Sequence, residues 1–195
     1  MGGNNDLPQL GRVLFYDKLL SINNSVACAS CHKQAFGFAD NVAFSRGFEN
    51  VVTKRNSMPI QNLSAFSEFF IADENRFIQS SILFWDGRES SLNTMVMRPI
   101  LNHIEMGMSD MATLSRKIAA MPYYQPLFAK AFGSSEVSPE RIANALASFS
   151  QSIRSTETRF DRMMNRGESN LLSANELRGL QLFLRNTIAT AVIRW

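Results

Sequence analysis

Cys28-Ala29-Ser30-Cys31-His32 places both cysteines of the chain and one of its two histidines within five consecutive residues. Two thiols flanking two small residues, followed at once by an imidazole, form the attachment pattern of a c-type haem. Each thiol can bond to one vinyl group, and the adjacent histidine can give its imidazole to the iron. Cys28 and Cys31 are therefore the candidate attachment points, and His32 is the candidate proximal ligand. A redox dithiol of the thioredoxin type would sit in a βαβ context, which the chain lacks. A closed zinc site would need four ligands, and outside the motif only His103 remains as a nitrogen or sulfur donor of the usual kind. A plain disulfide is sterically allowed and would leave His32 an incidental neighbour.

The rest of the composition suits a chain folded around an apolar group. Of 195 residues, 45% are hydrophobic and 19% charged, and fifteen Phe with ten Met supply a soft core. A net charge of +3, with no basic run interleaved with aromatics, argues against a nucleic-acid partner. No apolar run approaches the ~20 residues of a membrane span. The opening Met1-Gly2-Gly3-Asn4-Asn5-Asp6 shows no secretory signal, and Asp6 stands where N-myristoylation requires Ser or Thr.

Helical periodicity recurs along the chain, and no alternating strand pattern persists, so the expected class is all-α. Pro8 suits the first turn of a helix carrying Leu10, Val13, Leu14 and Leu19. From Ser21 to about Leu63 the chain is rich in Asn, Ser and Gly without a sustained period, an irregular length expected to serve a function by wrapping the haem. Further helices are expected over Ser90–Ile100, bent or ended by Pro99, and after Ser109 or Asp110 with Met111, Leu114, Ile118 and Met121 inward. Another is expected from Pro122 to Gly133. Ser138-Pro139-Glu140 opens one with Ile142, Leu146, Phe149 and Ile153 at helical spacing, and Ser173–Glu176 forms a capping box before Leu177 and Leu180.

Around the haem motif, several words fall in a recognisable order and spacing. They are Leu10-Gly11-Arg12-Val13-Leu14-Phe15-Tyr16-Asp17, Leu20-Ser21, Gly37-Phe38-Ala39-Asp40, Arg55-Asn56 with Asn62, Phe84-Trp85-Asp86-Gly87-Arg88, and Glu105-Met106-Gly107. From about Leu10 to Phe183 the chain thus resembles the bacterial di-haem cytochrome c peroxidases, a family that includes the MauG-like enzymes.

The resemblance implies a cytochrome c-like haem domain with long irregular loops over residues 7–165 and the start of a second haem domain over 166–195. It implies two-electron reduction of hydrogen peroxide to water, using a small donor protein (a cytochrome c or a cupredoxin), in the periplasm, and it allows a homodimer. By position, Glu105 becomes the acid-base group that moves a proton between the peroxide oxygens, and Trp85 an electron carrier between haems. Arg55 and Arg88 become partners for haem propionates, and Asn62 a residue near an inter-domain calcium ion. Read without the resemblance, Glu105 is a loop carboxylate, Trp85 a core residue, and the two arginines solvated surface.

Three departures qualify this. Phe48 follows Ser45-Arg46-Gly47 where many members place a histidine that ligates the resting iron, so the haem here is expected to be open at rest. Met95 replaces a glutamine of the distal pocket and cannot donate a hydrogen bond. Gly179–Phe183 resembles the helix that introduces the second haem motif, yet Leu184–Trp195 contains no Cys or His, so the ending reads as a truncation or a frame change and peroxidase turnover is expected to be impaired. The alternatives are a mono-haem electron-transfer cytochrome, with His32 and either His103 or a Met on the iron, and a MauG-like oxidase of protein side chains. Met106 and Met108 read better as core residues than as ligands.

Overall fold

In the computed structural model the structure describes residues 5–63, 70–73, 76–79 and 83–185, with backbone alone for 70–73 and 76–79. The leader and lipidation readings of residues 1–4, and residues 186–195 of the Cys- and His-free ending, lie outside them. Among the described residues eight helices follow in order: α1 Asp6–Tyr16, α2 Cys28–Cys31, α3 Leu92–Leu101, α4 Met111–Ala119, α5 Tyr124–Phe132, α6 Pro139–Ser152, α7 Arg159–Arg166 and α8 Ala174–Arg185. Two single 3₁₀ turns, Lys18–Leu20 and Gln34–Phe36, flank α2. The fold is all-α, with one short antiparallel hairpin among the described residues, β1 Phe70–Asp73 and β2 Arg76–Gln79, in register Ile71 to Ile78. The chain divides into two compact units, Met1–Arg154 and Ser155–Trp195.

The caps are those the sequence marks. The Asp110 carboxylate accepts the Thr113 N–H at the start of α4, and Ser138 accepts the Arg141 N–H with Pro139 in the first turn of α6. Ser91 caps α3, whose Pro99 sits in the last turn and does not end the helix before Leu101. Pro122 lies in the turn before α5 rather than in its first turn, and Gly133 closes that helix in the left-handed conformation. In the second unit, α7 and α8 carry a Thr158–Asp161 capping box and an Arg159–Glu176 ion pair.

The first unit is built on α1 lying against α6. Leu10, Gly11, Leu14 and Phe15 form the buried face of α1, and Ala145, Leu146 and Phe149 are among those α6 presents to it. Phe15 and Phe149 rings meet at 5.0 Å. Val13, expected inward, is 38% exposed, and Leu19 falls in the 3₁₀ turn because the helix stops at Tyr16. There Asp17 turns the chain: its Oδ1 accepts the Leu19 N–H, and its Oδ2 accepts both the Tyr123 and Tyr124 hydroxyls at 2.8 Å. The two helices approach so closely that a β-carbon on Gly11 would stand 1.9 Å from the Ala145 carbonyl oxygen. Backbone cannot yield as a side chain can. Gly11→Ala should therefore lower stability by about 1–3 kcal/mol, although alanine elsewhere in a helix gains about 1 kcal/mol over glycine. Chemical denaturation checks this, and an unchanged midpoint would contradict the close approach.

Candidate functional site

The haem-motif segment is a single helical turn. The Ser30 hydroxyl accepts the Ala27 N–H at its start, and the His32 N–H donates to the Cys28 carbonyl at its end. Residues three apart on a helix share a face, so α2 turns Cys28 and Cys31 to the same side, and both thiols are free. Burial pushes the Cys28 thiol up to about 12, and the Cys31 thiol is also raised by burial, the Ser45 and Ser57 hydroxyls opposing. Protonated, half-buried thiols of this kind are poor nucleophiles for disulfide exchange, unlike those of a redox dithiol.

His32 is aimed by the loop that follows. Gly37 and Phe38 both take left-handed backbone angles, φ +65° and +57°, and fold the chain back so that the Phe38 carbonyl lies 3.0 Å from Nδ1. A carbonyl can only accept, so Nδ1 carries the proton and Nε2 keeps its lone pair, the tautomer a metal-ligating histidine needs. Burial lowers the His32 pKa, against the pull of the Phe38 and Met58 carbonyls and the Asp40 charge.

Asp40 anchors this loop. Its carboxylate, 4% exposed, pairs with Lys33 at 2.7 Å and accepts the Ser45 hydroxyl at 2.6 Å and the Asn41 N–H at 2.8 Å. Ser45 and Ser57 hydroxyls meet at 2.8 Å beside it. Burial alone would raise the Asp40 carboxyl; Lys33, Ser45 and the Asn41 N–H outweigh it and hold the group below its ordinary 3.8.

Glu105 arrives on a different turn. The Asn102 carbonyl accepts the N–H groups of Glu105, Met106 and Gly107, and its side chain takes the Ile104 N–H on Oδ1 at 2.9 Å. The amide then donates to Glu105 Oε1 at 2.7 Å. Two bonds pin this turn to the loops around the motif: Phe48 N–H to the Glu105 carbonyl and Ile22 N–H to the Met106 carbonyl, both 2.9 Å. Gly47 permits the first, since a β-carbon there would fall 1.6 Å from the Ile104 carbonyl oxygen. The Phe48 ring packs on Gly107, at φ +73°. Burial raises the Glu105 carboxyl above its ordinary 4.5, and the Asn102 amide and the Arg88 charge draw it partly back.

Four of the groups described above line one cavity. Cys28, Cys31, His32 and Glu105 share it with apolar walls that include Phe15, Val26, Ile60, Met95 and Leu146. A second, polar cavity shares His32 and Glu105 and holds Arg55, Arg88, Trp85 and His103. Arg55 and Arg88 both pair with Asp86 at 2.7 Å, holding its carboxyl down at about 2. Trp85 is 59% exposed, its indole N–H fixed on the Asn56 carbonyl. His103 is exposed, Met106 and Met108 are core residues, and Met106 also borders the apolar cavity. Asn62 borders neither cavity; it takes a left-handed backbone angle, φ +60°, and its N–H donates to the Ile153 carbonyl. The sequence reading missed Asn102, Ser57 and the Phe38 carbonyl; of these only Asn102, three residues before a carboxylate and apt to form an Asx turn, carried a local signal.

The donor set fits a covalently held haem: paired protonated thiols, a neutral imidazole of fixed tautomer, and carbon-lined walls in one cavity. An all-α fold closed over such a site defines a c-type haem domain. The chain belongs to the di-haem cytochrome c peroxidase family, whose model matches residues 5–170. It is 33% identical to the cytochrome c551 peroxidase of Nitrosomonas europaea over 92% of this chain and 49% of that protein. It is 35% identical to the methylamine utilization protein MauG of Methylorubrum extorquens, over 89% and 45%. A solved MauG-like protein associated with microbial copper homeostasis superposes with a TM-score of 0.77 at 30% identity, over 92% and 49%. The chain thus spans about half the length of the relatives it matches. Membership implies haem c. No described helix is long and apolar enough to cross a membrane.

The Asp40 cluster carries a pH signature. A carboxyl held below its ordinary value binds fewer protons folded than unfolded, so the stability it contributes is full above 3.8 and is lost as the pH falls through the folded value. Asp40→Asn should start less stable at neutral pH and lose less on acidification, as read by denaturant midpoints across the acid range. Parallel wild-type and variant profiles would contradict this.

Proposed function

We propose that residues 7–165 are the peroxidatic haem domain of a cytochrome c peroxidase and that residues 166–195 begin a second haem domain. The reaction is reduction of hydrogen peroxide to water, with two electrons from a small donor protein, in the periplasm. One observation carries this reading: a half-buried carboxyl with a raised pKa, Glu105, borders the same cavity as Cys28, Cys31 and His32.

Cys28 and Cys31 would hold the haem, and His32 would face it through Nε2. When bound, the haem would supply the redox-active iron at which peroxide is reduced. His32, bonded at Nδ1 to the Phe38 carbonyl, keeps its ring from turning and its Nε2 basic. Glu105 takes the proton from one peroxide oxygen and returns it to the other as the bond between them breaks, so the departing oxygen leaves as water. Burial assists by bringing its pKa closer to the working pH, where acceptance and donation are both accessible. Apolar walls keep bulk water from short-circuiting the transfer. At the polar mouth, Arg55 and Arg88 would turn part of their charge from Asp86 to the propionates, and Trp85 would carry electrons. Asn62 would serve a calcium ion.

Glu105→Gln keeps the shape and removes the titratable group. With haem loaded, it should slow the spectral change on stopped-flow mixing with hydrogen peroxide by roughly 10²- to 10⁴-fold. Haem content should be unchanged. Equal rates for variant and wild type would remove Glu105 from the chemistry.

A further inference from the structure

A carboxyl that must accept a proton and then release it works only if the correct oxygen carries it. In this chain Asn102 is placed to make that choice. Amide orientation is often ambiguous, because oxygen and nitrogen look alike. Here it is fixed by chemistry: the Ile104 N–H can only donate, so the end of the Asn102 side chain 2.9 Å from it must be the oxygen. The other end is then NH₂, and it lies 2.7 Å from Glu105 Oε1. The backbone of the same residue closes the turn by accepting three consecutive N–H groups, from Glu105, Met106 and Gly107.

We propose that Asn102 is a positioning residue for Glu105: held in one orientation by the turn it caps, its amide donates to Oε1 and so assigns the mobile proton to Oε2. This rests on the acid-base reading of Glu105. Oε1 already accepts an N–H, which makes it the poorer site for a proton. The same bond limits rotation of the carboxyl group and so fixes the direction in which Oε2 presents its proton. The charged and titratable groups that act on Glu105 are Arg88, across the mouth, and the Cys28 and Cys31 thiols on α2. None of these reaches the carboxyl from its own turn as Asn102 does.

Two variants separate orientation from turn closure. Asn102→Asp keeps an acceptor for the Ile104 N–H but replaces the donor with a second acceptor. Asn102→Ser keeps a short acceptor and adds no charge. In the haem-loaded full chain both should slow the peroxide reaction by about 10- to 100-fold, the span for a group that orients a functional ligand. The bond favours the ionised carboxyl, so its loss should move the pH midpoint of the reaction upward, further in Asn102→Asp than in Asn102→Ser. The infrared carbonyl band of protonated Glu105, assigned with Glu105→Gln, should shift with it. In wild type, the Asn102 side-chain amide resonances should titrate with Glu105. Variants that load less haem but leave midpoint and band unmoved in the loaded fraction would show turn closure alone and overturn the proposal. So would a pH-independent Asn102 amide in wild type. If Glu105→Gln itself reacts at the wild-type rate, the acid-base reading fails instead, and the two failures are distinguishable.

Discussion

The hydrogen bonds from Phe48 and Ile22 to the carbonyls of Glu105 and Met106 decide whether the cavity has chemistry. They join segments far apart in sequence, the loops flanking the Cys28–His32 turn and the turn after α3. Without them the haem-binding residues would remain, but the turn that carries Glu105 would lose its backbone bonds to the loops around the motif. Both are backbone bonds, so their requirement falls on the space around them rather than on side-chain type. That is why Gly47 lies against the Ile104 carbonyl and why Gly107 faces the Phe48 ring.

The site is also an electrostatic compromise. Four titratable groups facing one apolar cavity are pushed by burial toward their neutral forms: Cys28, Cys31, His32 and Glu105. Neutral thiols and a neutral imidazole are the species that covalent attachment and ligation use. Asp40 is the exception, kept ionised by Lys33 and the hydroxyl and N–H donors around it, and the loop it ties down presents the Phe38 carbonyl to His32. The polar expense of one buried carboxylate is thus offset locally, by partners within seven residues of Asp40 in sequence.

Much of this was legible in advance, for identifiable reasons. The haem motif is a covalent requirement and tolerates little variation in spacing. Helices α4, α6 and α8 carry their caps in the sequence, so Asp110, Ser138 and Ser173 announce them. The hairpin β1–β2 was not announced, since four-residue strands are too short for alternation to stand out. Val13 pointed outward because α1 is covered on one narrow face by α6. The pairing of Arg55 and Arg88 with Asp86, and of Asn102 with Glu105, depends on turns whose course no periodicity reports. The Phe38 carbonyl is a backbone group and leaves no trace in residue types at all.

The central claim is that Cys28, Cys31, His32 and Glu105 address one haem from their shared cavity. A crystal structure of the haem-loaded chain tests it most directly. Thioether bonds are expected at both cysteines, with His32 holding the iron through Nε2, Nδ1 still on the Phe38 carbonyl, and the Glu105 carboxyl inside the haem pocket. An iron ligated by His103, or a Glu105 carboxyl turned out of the haem pocket, would contradict it.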